Sequence, residues 1–227
     1  MPKDSSKETT GQQIDPKDLA AQLRQPHGEF GQVVADNLNE SNIHITQFTY
    51  DNMQIADGHR LLEIGFGNGK LMDLLLAKAN DLFLAGIDFS ETMVAAAKDY
   101  HASNINKGIV DIQLGSVAAI PYPDGHFDKI CHINTLYFWE DPLACAKETL
   151  RVLKDGGSIY TGIRHKDQME HFPFAQYGFT FYDDDKAIQL FKDAGFSEVA
   201  ICKQKDPAFE WQGQMLQMDS VCVIATK

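Results

Sequence analysis

Glu63, Gly65, Gly67, Gly69 and Asp88 are the residues whose types and spacing promise the most chemistry in this chain. The apolar pair Leu61-Leu62 leads into Glu63-Ile64-Gly65-Phe66-Gly67-Asn68-Gly69-Lys70, and a second apolar run, Leu84-Ala85-Gly86-Ile87, ends in Asp88. A strand, a glycine turn, a helix and a second strand ending in a carboxylate form a unit that can hold an adenosine-containing cofactor. Glycines let the backbone approach a ligand where a side chain would collide. A carboxylate after the second strand can accept hydrogen bonds from two ribose hydroxyls. Glu63, just before the turn, can attract an ammonium group or order the loop itself. The spacing also bears on which cofactor fits. A dinucleotide fingerprint, G-x-G-x-x-G/A, would place its third small residue at position 70, which is Lys70. The third glycine comes one residue early, at Gly69, so a pyrophosphate seat at the helix N-terminus is the weaker reading.

Further motifs follow the same order. Leu114-Gly115-Ser116-Val117 ends a third strand, Ile120-Pro121-Tyr122-Pro123-Asp124-Gly125 is a turn, and Asn134 ends a fourth strand before Thr135-Leu136-Tyr137-Phe138-Trp139-Glu140-Asp141-Pro142. Together these features resemble the class I S-adenosylmethionine (SAM) methyltransferases. Arg24-Gln25-Pro26-His27-Gly28, the stretch Asn134 to Pro142 and Arg151-Val152-Leu153-Lys154-Asp155-Gly156-Gly157 are similar to a bacterial, type 11-like subgroup acting on small molecules. The resemblance implies SAM as cofactor. It implies that the glycine turn faces the methionine part of SAM and that Asp88 holds the ribose. Phe89 and Met93 would pack near the adenine, with Ser116 and the Val117 backbone at its edge. Asn134 would lie beside the methyl group. The family often has an aspartate where Ser116 stands. No Pro-Pro-Tyr or Pro-Pro-Phe follows Asn134, which argues against nucleobase amines and glutamine amides as acceptors.

Methyl transfer from a sulfonium is an in-line displacement by an O, N, S or C nucleophile. Alignment alone supplies roughly 7–11 kcal/mol, and a base is needed only when the acceptor must lose a proton. The candidate catalytic residues are Tyr137, His132, His165 and His171. His132 stands two residues before Asn134, on the same strand face, and is either a base or a satisfied core histidine. His165 and His171 near Asp183 lack the spacing of a metal site, so no metal is expected. Two other readings stay open: a non-catalytic SAM-binding or partner-binding protein, and a nicotinamide oxidoreductase.

The elements that must position these residues can be read from the pattern of the chain. Strands are expected near 60–64, 82–87, 110–114, 128–133, 157–163, 198–204 and 219–226, and helices near 69–79, 91–103, 142–153 and 184–194. This alternation predicts an α/β, Rossmann-like sheet of seven mainly parallel strands with helices on both faces. The last two strands, with no helix between them, predict a C-terminal antiparallel hairpin. Residues 1–15 are polar and read as a disordered leader. Residues 16–57 read as an N-terminal helical cap over the carboxyl edge of the sheet, where ligands bind, and 58–227 as the SAM-binding domain. In the second cap helix, Phe30, Val33, Val34 and Leu38 share one face. The aromatic-rich stretch 164–182 reads either as a lid over an apolar or aromatic small-molecule acceptor or as a cover for the sheet edge.

Composition narrows the partners. A formal charge of -12 over 227 residues, with no basic stripe to offset it, argues against nucleic acid. No apolar run is long enough to span a bilayer. Cys131, Cys145, Cys202 and Cys222 form no C-x-x-C pair and read as reduced thiols in a cytoplasmic protein.

Overall fold

The computed structural model describes residues 14–211 and 213–227. Apart from Ile14 and Asp15, the expected leader lies outside the described residues. Seven strands form one sheet. They are β1 (Arg60–Ile64), β2 (Phe83–Asp88), β3 (Val110–Leu114), β4 (Phe127–Ile133), β5 (Leu153–Arg164), β6 (Glu198–Lys205) and β9 (Asp219–Thr226), in the order β3-β2-β1-β4-β5-β9-β6. The first five pair in parallel, and β9 runs antiparallel between β5 and β6. Strand order reverses between β1 and β4, and such a switch point opens a crevice at the carboxyl ends of the strands.

Alternation along β1 separates two cores. Leu62 and Ile64 face one side of the sheet, with Ile87, Ile130, Ile159 and Val223. Helices α7 (Pro142–Val152) and α9 (Asp184–Ala194) cover that side, burying Ala146, Val152, Ala187 and Phe191. Leu61 faces the other side, with Leu84, Ile112, Cys131 and Cys222. There α3 (Ile43–Asn52), α4 (Met72–Leu76) and α5 (Glu91–Tyr100) contribute Tyr50, Met72, Leu75 and Val94. Helix ends obey local chemistry. Ser90 caps α5 through Met93 N–H (3.2 Å), Asp183 caps α9 through Lys186 N–H (2.8 Å), and Gly195 ends α9 at φ 103°.

The N-terminal helices differ from expectation. α3 does not cap the carboxyl edge but lies on the sheet face over β4, β5 and β9. With no crossover helix between β6 and β9, that face would otherwise be bare. Gly162 makes the seat: a Cβ there would stand 2.5 Å from Thr49 Oγ1. Ile45, Tyr50 and Met53 are buried against this surface, each contributing about 1.5–3 kcal/mol. Over the edge lie α1 (Pro16–Arg24) and α2 (Gly28–Ser41), joined by Asn42 and Thr46 at the start of α3. In α2 the expected face splits. Val34 is buried, whereas Phe30 and Val33 are exposed, because Gly31 packs directly on the Pro26 backbone and turns the helix about that contact.

Three more elements are shorter or newer than the pattern predicts. α4 is one and a half turns, preceded by the glycine turn. α5 stops at Tyr100, and α6 (Ala102–Asn106) restarts after His101. A small hairpin, β7 (Phe209–Trp211) with β8 (Gln214–Leu216), sits between β6 and β9 and turns at Gly213, φ 77°. Stretch 164–182 contains α8 (Lys166–Met169) and a 3-10 turn, Pro173–Gln176.

Candidate functional site

The loop after β1 is shaped by its own backbone. Gly65 (φ 72°), Gly67 (φ 61°) and Gly69 (φ 77°) all adopt left-handed backbone that other residues take only at a cost. At Gly65 a Cβ would collide with Thr135 Cγ2, and at Gly69 it would stand 2.8 Å from Ala97 Cβ. At Gly67 nothing lies within 4 Å, so this backbone borders open space. The turn is braced from outside by His101, whose buried Nε2 lies 2.9 Å from the Gly69 carbonyl. Asp88 braces it from inside: Oδ2 accepts from Gly67 N–H (3.1 Å) and Oδ1 from Ser90 N–H (2.8 Å). Because Ser90 caps α5, Asp88 is free to face the crevice.

Glu63 projects from β1 toward α3. Its Oε1 accepts from Tyr50 Oη (2.8 Å), while its buried Oε2 has no hydrogen-bond partner. Burial pushes the Glu63 carboxyl up to about 7, with Asp88 adding to the rise and the Tyr50 bond opposing it. Asp88 is pushed up to about 6, again by burial, against the opposing pull of backbone N–H groups at Ser90, Gly67 and Phe89.

A cavity of about 650 Å³ runs along the carboxyl ends of the strands. Glu63, Gly65, Gly67, Asp88, Phe89, Ser116, Val117, Asn134 and Tyr137 all line it. Ser116 Oγ also accepts from Ala118 N–H (3.2 Å), closing its own turn. Asn134 has φ 55°, a strained backbone for a residue with a side chain, held by Gly162 carbonyl (2.8 Å) and Asn42 Oδ1 (3.0 Å). Beyond Asn134 the wall becomes apolar: Met169, Phe172, Phe174, Phe179, Phe209 and Met218, with Arg164 among them.

Other expected site residues lie elsewhere. Met93 is wholly buried in α5 and does not line the cavity, and Gly69 is packed behind the loop. His132 is sealed between Thr135 Oγ1 (2.9 Å) and Thr161 Oγ1 (2.8 Å), with Trp139 against its ring. Burial pushes its imidazole down to about 3, so it stays neutral. Its part is to hold Thr135 beside Gly65, not to reach a substrate. His165 stands by Asp167 and Asp184, and His171 is exposed; neither lines the cavity. Tyr137 does line it, but its hydroxyl is engaged. Oη accepts from Arg164 N–H (2.5 Å) and lies 3.2 Å from both the Arg164 carbonyl and Asn134 Oδ1. Burial holds this phenol well above its ordinary range, so it ties β4 to β5 and is a poor base.

Several contacts at the site join residues whose partners sequence reading does not reveal. Asp36 on α2 accepts from Asn68 Nδ2 (2.9 Å) and Lys70 Nζ (2.7 Å), and Asn39 Nδ2 donates to Asn68 Oδ1 (3.1 Å). Gln25 Nε2 donates to the Phe89 carbonyl (3.0 Å), and Arg24 pairs with Glu140 (2.8 Å). These contacts close α1 and α2 over the crevice. For Asp36 and Asn39 the only sequence signal is polar residues on an amphipathic helix, whereas Arg24 and Gln25 belong to the Arg24-Gln25-Pro26-His27-Gly28 stretch.

This geometry has known relatives. A family model described as a methyltransferase domain matches residues 62–161. The uncharacterised methyltransferase YdaC of Bacillus subtilis is 32% identical over 158 residues, covering 69% of this chain and 82% of YdaC. The chain belongs to the class I SAM-dependent methyltransferases. Its cofactor is S-adenosylmethionine, which sets aside the nicotinamide reading. A further relative, 27-O-demethylrifamycin SV methyltransferase of Amycolatopsis mediterranei, is 30% identical over 55% of this chain, which spans only 46% of that enzyme. Among solved structures, the complex of the Haloferax volcanii Trm112 methyltransferase activator with a methyltransferase aligns with a TM-score of 0.71. That match has 18% identity and covers 93% of this chain and 97% of the other. At that identity the likeness is one of fold.

The site of this methyltransferase fits SAM on two independent observations. The unpartnered Glu63 Oε2 awaits a donor, and the bare backbone at Gly67 leaves room that a Cβ would fill. A buried carboxylate oxygen without a partner costs roughly 1–3 kcal/mol, a cost that an ammonium donor removes. Among the described residues no group of three or more His, Cys, Asp or Glu is placed to hold a metal ion.

Proposed function

We propose that this methyltransferase alkylates a small, largely apolar or aromatic molecule. The observation that carries the reading is the cavity itself. Its glycine-loop half is continuous with a second half walled by Met169, Phe172, Phe174, Phe179, Phe209 and Met218. A cavity of about 650 Å³ can take a cofactor and a second small ligand side by side. The name of the rifamycin relative, which specifies a small-molecule acceptor, adds support.

In this proposal Glu63 takes the cofactor's ammonium and Asp88 its ribose hydroxyls. Phe89, Ser116 and Val117 border the adenine, and Asn134 stands beside the transferred methyl. Bound SAM supplies an electrophilic methyl group on a sulfonium. The protein's part is to align the acceptor and exclude water, with Tyr137 fixing the relative placement of the β4 and β5 ends. α1, α2 and stretch 164–182 act as the lid. A charge of -12 and four free cysteines support work on small molecules in a reducing, cytoplasmic compartment. Among the described residues no helix is long and apolar enough to cross a membrane.

The test is calorimetric titration with SAM, S-adenosylhomocysteine and NAD, then incubation of the SAM-loaded protein with small-molecule extracts, RNA and protein fractions. Micromolar binding of the first two ligands, with methyl label appearing in small molecules, is expected. Label found only in a macromolecular fraction would overturn the acceptor reading.

A further inference from the structure

Arg164 is the one cationic side chain buried in the apolar half of the cavity wall, among the described residues. It closes β5, beside the strand that ends in Asn134. Its side chain is 9% exposed and it is held from one side only. Nη1 donates to Asp206 Oδ2 and to Ser220 Oγ (3.2 Å). Ser220 Oγ in turn donates to Asp206 (2.7 Å), which fixes the carboxylate. Nε and Nη2 have no acceptor among the described residues. A guanidinium keeps its charge at any physiological pH. The Nε–Nη2 edge is the fork that matches two carboxylate oxygens.

A purely structural ion pair uses only one nitrogen of this guanidinium. If the Arg164–Asp206 pair served only to join β5 to the end of β6, one nitrogen would suffice; Nε and Nη2 are not among the enclosed unpartnered polar atoms, so they open toward the cavity that Arg164 lines. Asp206 and Ser220 hold the guanidinium from behind and orient its unused edge. The neighbouring wall, Phe172, Phe174 and Met218, cannot accept from it through side-chain oxygen. An oxygen acceptor on a ligand in the cavity would complete the fork.

We infer that Arg164, positioned by Asp206 and Ser220, is the acceptor-recognition residue, and that the acceptor carries an anionic oxygen, a carboxylate or its like, on an apolar or aromatic frame. This rests on the small-molecule reading above.

The test is titration of the S-adenosylhomocysteine-loaded protein with aromatic and aliphatic carboxylates, each beside its amide and its amine. Carboxylates are expected to bind at least tenfold tighter than their amides, with amines weakest. Arg164→Met should weaken carboxylate binding roughly a hundredfold and leave amide and S-adenosylhomocysteine affinities within twofold. Arg164→Lys, which keeps charge but loses the fork, should recover about a tenth of the wild-type affinity. A merely structural arginine would change all ligands alike. Equal affinity for acid and amide in the wild-type protein overturns the inference even if Arg164→Met fails to fold. If none of the three classes binds while S-adenosylhomocysteine does, the small-molecule reading falls and takes the inference with it. Amide or amine binding without acid preference removes Arg164 alone.

Discussion

At the carboxyl ends of β1 and β2, the cavity is shaped by backbone: three left-handed glycines, the N–H of Gly67 on Asp88, and a single unsatisfied oxygen on Glu63. At the ends of β5 and β9 it is shaped by side chains borne on α8, a 3-10 turn, the β7–β8 hairpin and Arg164. Backbone held in a sheet has few alternatives, so the first region suits one invariant ligand. Aromatic side chains on connections can be exchanged without unravelling a strand. That suits a region whose ligand differs between relatives. The contrast makes separable demands: changes in the first half should alter SAM affinity, and changes in the second should alter acceptor affinity alone.

The largest effect is expected from Gly65→Ala. A Cβ at φ 72° against Thr135 should cost about 3 kcal/mol of stability and abolish measurable SAM binding, read by thermal unfolding and calorimetry. Next, Asp88→Ala should weaken SAM roughly a hundredfold in a protein that still unfolds cooperatively. Unchanged affinity in the folded variant would remove Asp88 from the site. On the other side, Phe174→Ala should raise acceptor KM about tenfold and leave SAM affinity within twofold. A matching loss of SAM affinity would erase the distinction between the halves.

Glu63→Gln should weaken SAM about tenfold and also flatten a pH dependence. With the carboxyl at about 7 in the free protein, it is neutral below that value and ionised above it. SAM affinity should therefore rise between pH 6 and 8 in the wild type. Free-protein stability runs the other way. The folded carboxyl holds its proton more tightly than the ordinary 4.5, so its contribution is full below 4.5 and is lost as pH climbs through about 7. Opposite slopes for binding and stability distinguish this carboxyl from a general surface effect. The smallest change, Asp36→Ala, removes an exposed clasp to Asn68 and Lys70. It should speed SAM release about threefold with little change in stability.

The same contrast governs what the sequence made legible. Strand periodicity and glycine turns give β1 to β5, the terminal antiparallel pair and the wall around Glu63, Gly65, Gly67 and Asp88. These features are local, and each repeats a pattern fixed by backbone geometry. Of the two readings open for His132, the structure supports the core histidine, and strand alternation could not decide between them because it gives a face, not what covers it. Thr135 and Trp139 come from the turn that follows β4, and Thr161 from β5. Met93 went the same way: helical spacing cannot say whether a methionine meets ligand or core. Arg164, His101 and Asp36 act through partners 32 to 42 residues away or more, a separation no local pattern encodes. The β7–β8 hairpin is too short to carry a period at all.

The seat of α3 has a consequence for how the molecule is made. Residues 43–52 leave the ribosome early, yet the surface they cover is complete only when β9, ending at residue 226, has paired with β5. Until then the apolar side of α3 can rest only on β4 and β5, and part of it stays uncovered. This long closure favours slow folding and post-synthetic assembly. A chain cut before β9 would lose the antiparallel partner of β5 and part of the surface under α3 together.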